Sequence, residues 1–68
     1  MINEYEKRRA YNYGLYEWHE HQGSKEELLN QLFAQLNITE DSHKTELTKE
    51  FERGFREYIR LQSVGTGG

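Results

Sequence analysis

Apolar residues recur every three or four positions in three stretches of the chain, which is the spacing of a helix with one buried face. The clearest case is the second stretch, where five large apolar residues form one stripe: Leu28, Leu29, Leu32, Phe33 and Leu36. The pattern predicts helix 1 from about Asn3 to about His21, helix 2 from Ser24 to Leu36, and helix 3 from Thr39 to about Gln62. We therefore expect an all-α fold.

Short polar breaks separate the three predicted helices, and because the chain has no Pro, glycine and capping residues must set their ends. Gly23 is expected to close helix 1 in the left-handed conformation. Ser24 and Glu27 have the spacing of a capping box that opens helix 2. The second turn is predicted at residues 37–38, with Thr39 as the cap of helix 3.

Two segments repeat one pattern 40 residues apart: YNYGLYEW at 11–18 and FERGFREY at 51–58 both read aromatic-x-x-Gly-apolar-x-Glu-aromatic. Gly14 and Gly54 each fall within the apolar face of a predicted helix. A glycine inside a helix costs roughly 0.5 to 1 kcal/mol relative to alanine, so a packing reason is expected at both positions. We predict that helices 1 and 3 cross at these glycines. If the repeated motif instead faces outward, it is a candidate binding surface.

These elements predict a small three-helix bundle in which two longer helices, 1 and 3, cross and the short helix 2 lies between them. Hydrophobic residues make up 34% of the chain, which is low for a folded domain, but one Trp, five Tyr and three Phe argue against disorder. We expect residues 1–62 to form a single helical domain. Residues 63–68 offer only Val64 as an apolar anchor and are predicted to form a disordered C-terminal tail.

Helix 1 carries a second aromatic face, opposite the one that contains Tyr11 and Trp18. Its members are Ile2, Tyr5, Arg9, Tyr13 and Tyr16. Tyrosine and arginine are enriched in protein interfaces, so Tyr5, Arg9, Tyr13 and Tyr16 are the predicted partner-binding residues, and the partner is another protein or a second copy of this chain. Two alternatives remain open: helix 2 packs on this face, or the tyrosines lie at the surface with their hydroxyl groups in water.

A line of basic residues on helix 3 suggests contact with nucleic acid, because phosphate groups are neutralised by such a line. The line consists of Lys49, Arg53, Arg56 and Arg60, and Lys7, Arg8 and Arg9 of helix 1 are expected to join it. Glutamates at 50, 52 and 57 lie three or four residues before Arg53, Arg56 and Arg60, so local ion pairs account for much of the pattern. The net charge of −3 also makes nucleic acid the less favoured partner.

No arrangement of residues in the sequence indicates catalysis. His19 and His21 are two positions apart, so they point to different sides of a helix and are expected to face solvent. Glu17 and His21 share a face, but His43 would have to arrive from helix 3 to complete a metal site. We therefore expect no enzyme, no metal, no cofactor and no small-molecule substrate. Without a long apolar run or a signal peptide, a cytoplasmic protein that avoids membranes is expected.

The segments RAYNYGL and FERGFRE resemble the paired Ala-x-x-x-Gly-aromatic and aromatic-x-x-Gly-aromatic-Arg-Glu segments of ribosome modulation factor. The corresponding positions are Ala10, Gly14, Phe51, Gly54, Phe55, Arg56 and Glu57. Leu15 stands where that family has an aromatic residue, and the strongly basic character of the family is absent. The resemblance implies a small helical protein that binds ribosomes.

Two functions follow from these patterns. The first is a small non-catalytic protein-binding module, such as a regulator or inhibitor of a larger protein, that uses the aromatic face of helix 1. The alternative is a ribosome- or RNA-associated factor that uses the basic line on helix 3, with exposed tyrosines available to stack on bases.

Overall fold

The computed structural model describes residues 3–67, with side chains through residue 63, and its fold is the predicted all-α three-helix bundle. Helix 1 comprises α1 (Glu4–Asn12), a π-helical segment (Tyr13–Glu17) and a 3₁₀ turn (Trp18–Glu20). After a short connection come α2 (Lys25–Leu36) and the long α3 (Asp41–Gly67). Within residues 3–67, no helix is both long enough and apolar enough to cross a lipid bilayer.

The caps explain where the first two α-helices begin. The Asn3 side chain accepts a hydrogen bond from the Glu6 amide at 2.8 Å, while the Asn3 amide donates to the Glu6 carboxylate at 3.4 Å, which is a complete capping box for α1. At the start of α2 the Ser24 hydroxyl accepts from the Glu27 amide at 3.1 Å, as predicted. Each side-chain cap satisfies an amide that has no partner within its helix.

The predicted helix ends need three corrections. Gly23 does not take the left-handed conformation, since the extended backbone of His21 (ψ 133°) already turns the chain away from helix 1. The turn predicted at residues 37–38 is confirmed, and Asn37, with φ 58°, closes α2 in the left-handed conformation. The third helix begins at Asp41 rather than directly after a Thr39 cap.

The third correction concerns the end of α3, which continues to Gly67 beyond the predicted end near Gln62. The backbone is therefore helical through most of the segment 63–68 that we expected to be disordered. Gly68 lies outside the described residues, and the domain boundary at residue 62 stays a prediction.

Helix 1 and α3 run parallel to each other, and α2 runs antiparallel to both. At one end His43 of α3 bonds Glu6 of α1, and at the other end Tyr58 stacks on His19. The start of α2 contacts α3 through Lys25 and Glu52, while its end reaches back toward α1. This up-down-up order places a single α2 across the seam between the two longer helices, as predicted.

The core lies where the α2 stripe meets the other two helices. Leu32, Leu47 and Phe51 are its largest fully buried side chains. The other buried core residues are Ala10, Leu28, Leu29, Phe33 and Ile38. Leu36 packs against this cluster and is only partly buried, so the predicted α2 stripe is confirmed over its whole length.

The two repeated glycines lie at the crossing of helix 1 and α3, as predicted, and both are buried. A Cβ atom built on Gly14 would lie 2.9 Å from the carbonyl carbon of Phe51 and nearer still to its oxygen. One built on Gly54 would meet the Tyr11 carbonyl in the same way. Gly14 therefore contacts Phe51, three positions before Gly54, and Gly54 contacts Tyr11, three positions before Gly14. These reciprocal contacts give the crossing an approximate two-fold symmetry.

The π-helical segment is a feature that the sequence pattern did not predict. The Trp18 amide donates to the Tyr13 carbonyl, five residues back, so this turn holds one residue more than an α-helical turn. Residues after the wide turn are therefore rotated relative to those before it. Tyr13 packs against the core whereas Tyr16, expected on the same face, is 61% exposed.

Candidate functional site

Four residues predicted to bind a partner, Tyr5, Arg9, Tyr13 and Tyr16, form one continuous surface on helix 1, which we call the tyrosine surface. Tyr5 and Tyr16 lie at its two ends and are each 61% exposed. They are separated by eleven positions, or about 16 Å along a helix. Ile2, expected on the same face, lies outside the described residues.

Arg9 and Tyr13 connect the two exposed tyrosines and are held in place by α2. The Arg9 guanidinium carbon lies 6.0 Å from the centre of the Tyr5 ring and 5.6 Å from that of Tyr13, which is the range of cation–π contacts. Gln35 of α2 accepts hydrogen bonds from the Arg9 guanidinium and from the Tyr13 hydroxyl, the latter at 3.0 Å. Contacts with α2 therefore hold the middle of the tyrosine surface in one arrangement.

An open groove runs beside the tyrosine surface, between helix 1 and the end of α2. Its lining residues are Arg9, Asn12, Tyr13, Tyr16, Glu17 and Gln35. One alternative was that helix 2 packs on this face of helix 1. Of its three tyrosines only Tyr13 is covered in this way, because Tyr5 and Tyr16 remain exposed on either side of the contact with α2.

The predicted basic line on α3 is largely occupied by ion pairs within its own helix. Lys49 pairs with Glu46 at 3.5 Å, Arg53 with Glu50 at 2.8 Å, and Arg60 with Glu57 at 2.6 Å. Arg56 is the member that forms no ion pair among the described side chains. The Glu52 carboxylate makes its direct ion pair with Lys25 of α2 at 2.7 Å, and Arg56 acts on it only as a more distant charge that also lowers the pKa of Glu52.

Two of the three basic residues expected to join this line from helix 1 do so. Lys7 and Arg8 line an open pocket together with Tyr11 and Arg53. A second open pocket shares Tyr11 and Arg53 with the first and reaches Arg56 and Arg60, so the two together form one groove. Arg9 does not take part, since its side chain points to Gln35 on the other side of helix 1. We call the surface formed by Lys7, Arg8, Tyr11, Arg53, Arg56 and Arg60 the basic groove.

The ion pairs of α3 shift the pKa values of their members in the expected directions. The hydrogen bond from Arg60 lowers the pKa of Glu57, and the same bond raises the pKa of Arg60. The hydrogen bond from Lys25 lowers the pKa of Glu52. All three groups therefore stay charged near neutral pH, and none has the shifted pKa of a general acid or base.

The histidines lie in three separate environments. His19 is exposed and stacks on Tyr58 with ring centres 4.2 Å apart, while His43 bonds the Glu6 carboxylate at 2.9 Å. His21 is half-buried beside Trp18, which corrects the expectation that it faces solvent. Among the described residues, no three metal-ligating side chains come together.

Comparisons with protein-family models, curated proteins and solved structures found no match to this chain. The likeness to ribosome modulation factor therefore rests on the two short segments alone. Four of its seven positions are buried around the helix crossing: Ala10, Gly14, Phe51 and Gly54. The shared residues thus describe how two helices pack more than they describe a binding surface.

Proposed function

We propose that this protein is a small non-catalytic binding module whose tyrosine surface docks into a concave surface of a larger protein, which it regulates or inhibits. The observation that carries the proposal is the ordered middle of this surface. Arg9 and Tyr13 are held by Gln35 while Tyr5 and Tyr16 remain 61% exposed. A cytoplasmic location and the role of regulator or inhibitor belong to the same proposal.

The residue types suit this role. Tyrosine and arginine are enriched among the residues that contribute most to protein–protein affinity, because each combines a large flat contact area with hydrogen-bonding groups. Ordering a flexible side chain on binding costs roughly 0.5 to 1.5 kcal/mol. Since Arg9 and Tyr13 are already ordered by their contacts with Gln35, much of that cost is avoided.

The size of the tyrosine surface favours a larger partner over a second copy. The surface is about 16 Å long and a helix is about 10 Å wide, so a flat contact through it covers a few hundred Å² at most. A stable interface buries about 800 Å² on each partner. A concave partner also contacts exposed residues beside this face and so buries more area, whereas a flat two-fold contact through the tyrosine surface alone stays below that size.

The test is to capture a partner from the native cell on the immobilised protein, purify that partner and measure its affinity by calorimetry. Tyr5→Ala and Tyr16→Ala are each expected to weaken binding by about tenfold or more, as removal of an interface aromatic does. Ile59→Ala is the matched control, because Ile59 is an exposed apolar residue of α3 outside the tyrosine surface. Equal losses in all three variants would contradict the proposal.

Sedimentation of the purified protein separates the two kinds of partner. We expect a monomer across the micromolar range. A dimer that Tyr16→Glu converts to a monomer would show that the tyrosine surface binds a second copy instead.

A further inference from the structure

We propose that the basic groove is a second interaction surface, which binds an acidic segment of a protein. The groove lies between α1 and α3, on the other side of helix 1 from the tyrosine surface. Five basic and three acidic side chains line it, so it carries a local excess of positive charge on a chain whose net charge is −3.

The basic side chains of the groove fall into two groups with different roles. Arg53 and Arg60 are already bonded to glutamates of their own helix. Lys7, Arg8 and Arg56 form no ion pair among the described side chains, and they come from both helices that border the groove. Carboxylates of an acidic segment that enters the groove can therefore pair with Lys7 and Arg8 at one part of it and with Arg56 at another, without breaking an internal ion pair.

The spacing of the cations along α3 suits a helical or extended acidic segment. Arg53 and Arg60 are seven positions apart on α3, or about 10 Å, and Arg56 lies between them. An acidic segment that lies along this length reaches Arg56 while Arg53 and Arg60 keep their bonds to Glu50 and Glu57. Opposite charges arranged in matching order determine which partner binds and how it is aligned.

The groove favours an acidic protein over a nucleic acid for two reasons. The ring of Tyr11 has the guanidinium of Arg53 over it at 5.7 Å, so this ring is not free to stack on a base. The groove also contains the carboxylates of Glu4, Glu50 and Glu57, which repel the evenly spaced phosphates of a nucleic acid. A protein segment avoids that repulsion by placing neutral or basic side chains opposite the glutamates.

The test uses fluorescence anisotropy with two labelled probes. One is a glutamate-alanine peptide of about 20 residues, which spans about 30 Å as a helix. The other is a single-stranded uridine oligonucleotide of similar charge. Each probe is titrated with the wild-type protein and with Arg8→Glu and Arg56→Glu. The matched control is Lys49→Glu, which changes the net charge by the same amount on an exposed position of α3 outside the groove.

We expect the peptide to bind the wild-type protein more tightly than the oligonucleotide does. Arg8→Glu and Arg56→Glu should each weaken peptide binding by about fivefold or more at low salt, while Lys49→Glu should change it by less than about twofold. Circular dichroism of each variant verifies that it remains folded. The inference is overturned if the peptide does not bind, if the oligonucleotide binds more tightly, or if Lys49→Glu weakens binding as much as Arg56→Glu. None of these outcomes involves the tyrosine surface, so the proposed function is judged separately.

Discussion

Replacing Gly54 with alanine tests the crossing of helix 1 and α3, because at this position helix propensity and packing predict opposite results. In an exposed helix the substitution stabilises the protein by up to about 1 kcal/mol, since alanine is the better helix former and restricts the unfolded chain. At the crossing, the new Cβ would lie 2.9 Å from the carbonyl carbon of Tyr11 and 3.1 Å from the amide nitrogen of Leu15. We therefore expect Gly54→Ala to destabilise the protein.

The magnitude follows from the atoms that the methyl group meets. Carbon atoms in contact are about 3.5 to 4.0 Å apart and the Tyr11 carbonyl oxygen lies closer still to the new Cβ, so helix 1 and α3 must separate by at least about 1 Å near Tyr11. The obstructing atoms belong to backbone and cannot rotate away, which places the overpacking cost near the upper end of its usual range of about 1 to 3 kcal/mol. After the gain in helix propensity, the expected net loss is about 2 kcal/mol. A domain of this size has a stability of only about 3 to 5 kcal/mol.

Urea unfolding followed by circular dichroism measures this loss. With an unfolding slope of about 1 kcal/mol per molar urea, the midpoint of Gly54→Ala should fall by about 2 M. Gly14→Ala should behave alike, because its methyl group would meet the Phe51 carbonyl. Gly23→Ala is the control: the nearest atoms to its new methyl belong to side chains and not to backbone, first the carboxylate of the exposed Glu27, which can rotate away, and then the ring of His21.

For Gly23→Ala the expected change is within about 0.5 kcal/mol. A midpoint for Gly54→Ala equal to or above that of the wild-type protein would refute the tight crossing. The repeated motif would then face outward.

Three further results are expected. His43→Gln should lower stability by about 1 kcal/mol in urea melts because it changes the half-buried hydrogen bond to Glu6, and an unchanged midpoint would contradict that role. Because the pKa of Glu52 is lowered in the folded protein, its ion pair with Lys25 adds to the free energy of unfolding above about pH 4.5. This stabilisation is lost as the pH falls through the lowered pKa of Glu52. After screening by solvent it amounts to a few tenths of a kcal/mol, and Lys25→Met should remove this part of the pH dependence of the urea midpoint. Zinc added to tag-free protein should leave the melting temperature unchanged, whereas a rise of several degrees would reveal a metal site that the separated histidines do not suggest.

The fold was predictable where local periodicity decides the structure. The α2 stripe has helical spacing, and all five of its apolar residues face the core. The two glycines were informative because glycine is unfavourable inside a helix unless another backbone needs the space. Their equal positions within the repeated motif predicted the crossing, which is a tertiary contact across 40 positions of the chain.

Features that depend on the packed structure were not predictable in the same way. The wide π turn at Tyr13–Glu17 occurs at the crossing, and no residue pattern specifies it. At the end of α2 the sequence predicted a turn but not which residue would be left-handed. That residue is Asn37, and asparagine tolerates the left-handed conformation better than most residues do. The capping box at Asn3 and Glu6 did have a sequence signal, a capping residue followed three positions later by glutamate.

The sequence predicted which residues form the tyrosine surface but not the contacts that hold its middle in place. Helical spacing placed Tyr5, Arg9 and Tyr16 on one face of helix 1. The contact of Arg9 with Gln35 spans 26 positions and depends on how the end of α2 lies against helix 1, so no local pattern reveals it. That contact also explains why Arg9 does not join the basic groove.

The most direct test of the central claim, that the tyrosine surface binds a larger protein, is photo-crosslinking in the native cell. A benzophenone amino acid replaces Tyr16 in one variant and Ile59, the matched exposed residue of α3, in another. The account predicts an adduct of one defined larger protein from position 16 and none from position 59. The same adduct at equal yield from both positions, or an adduct with only the mass of two copies of this chain, would contradict it.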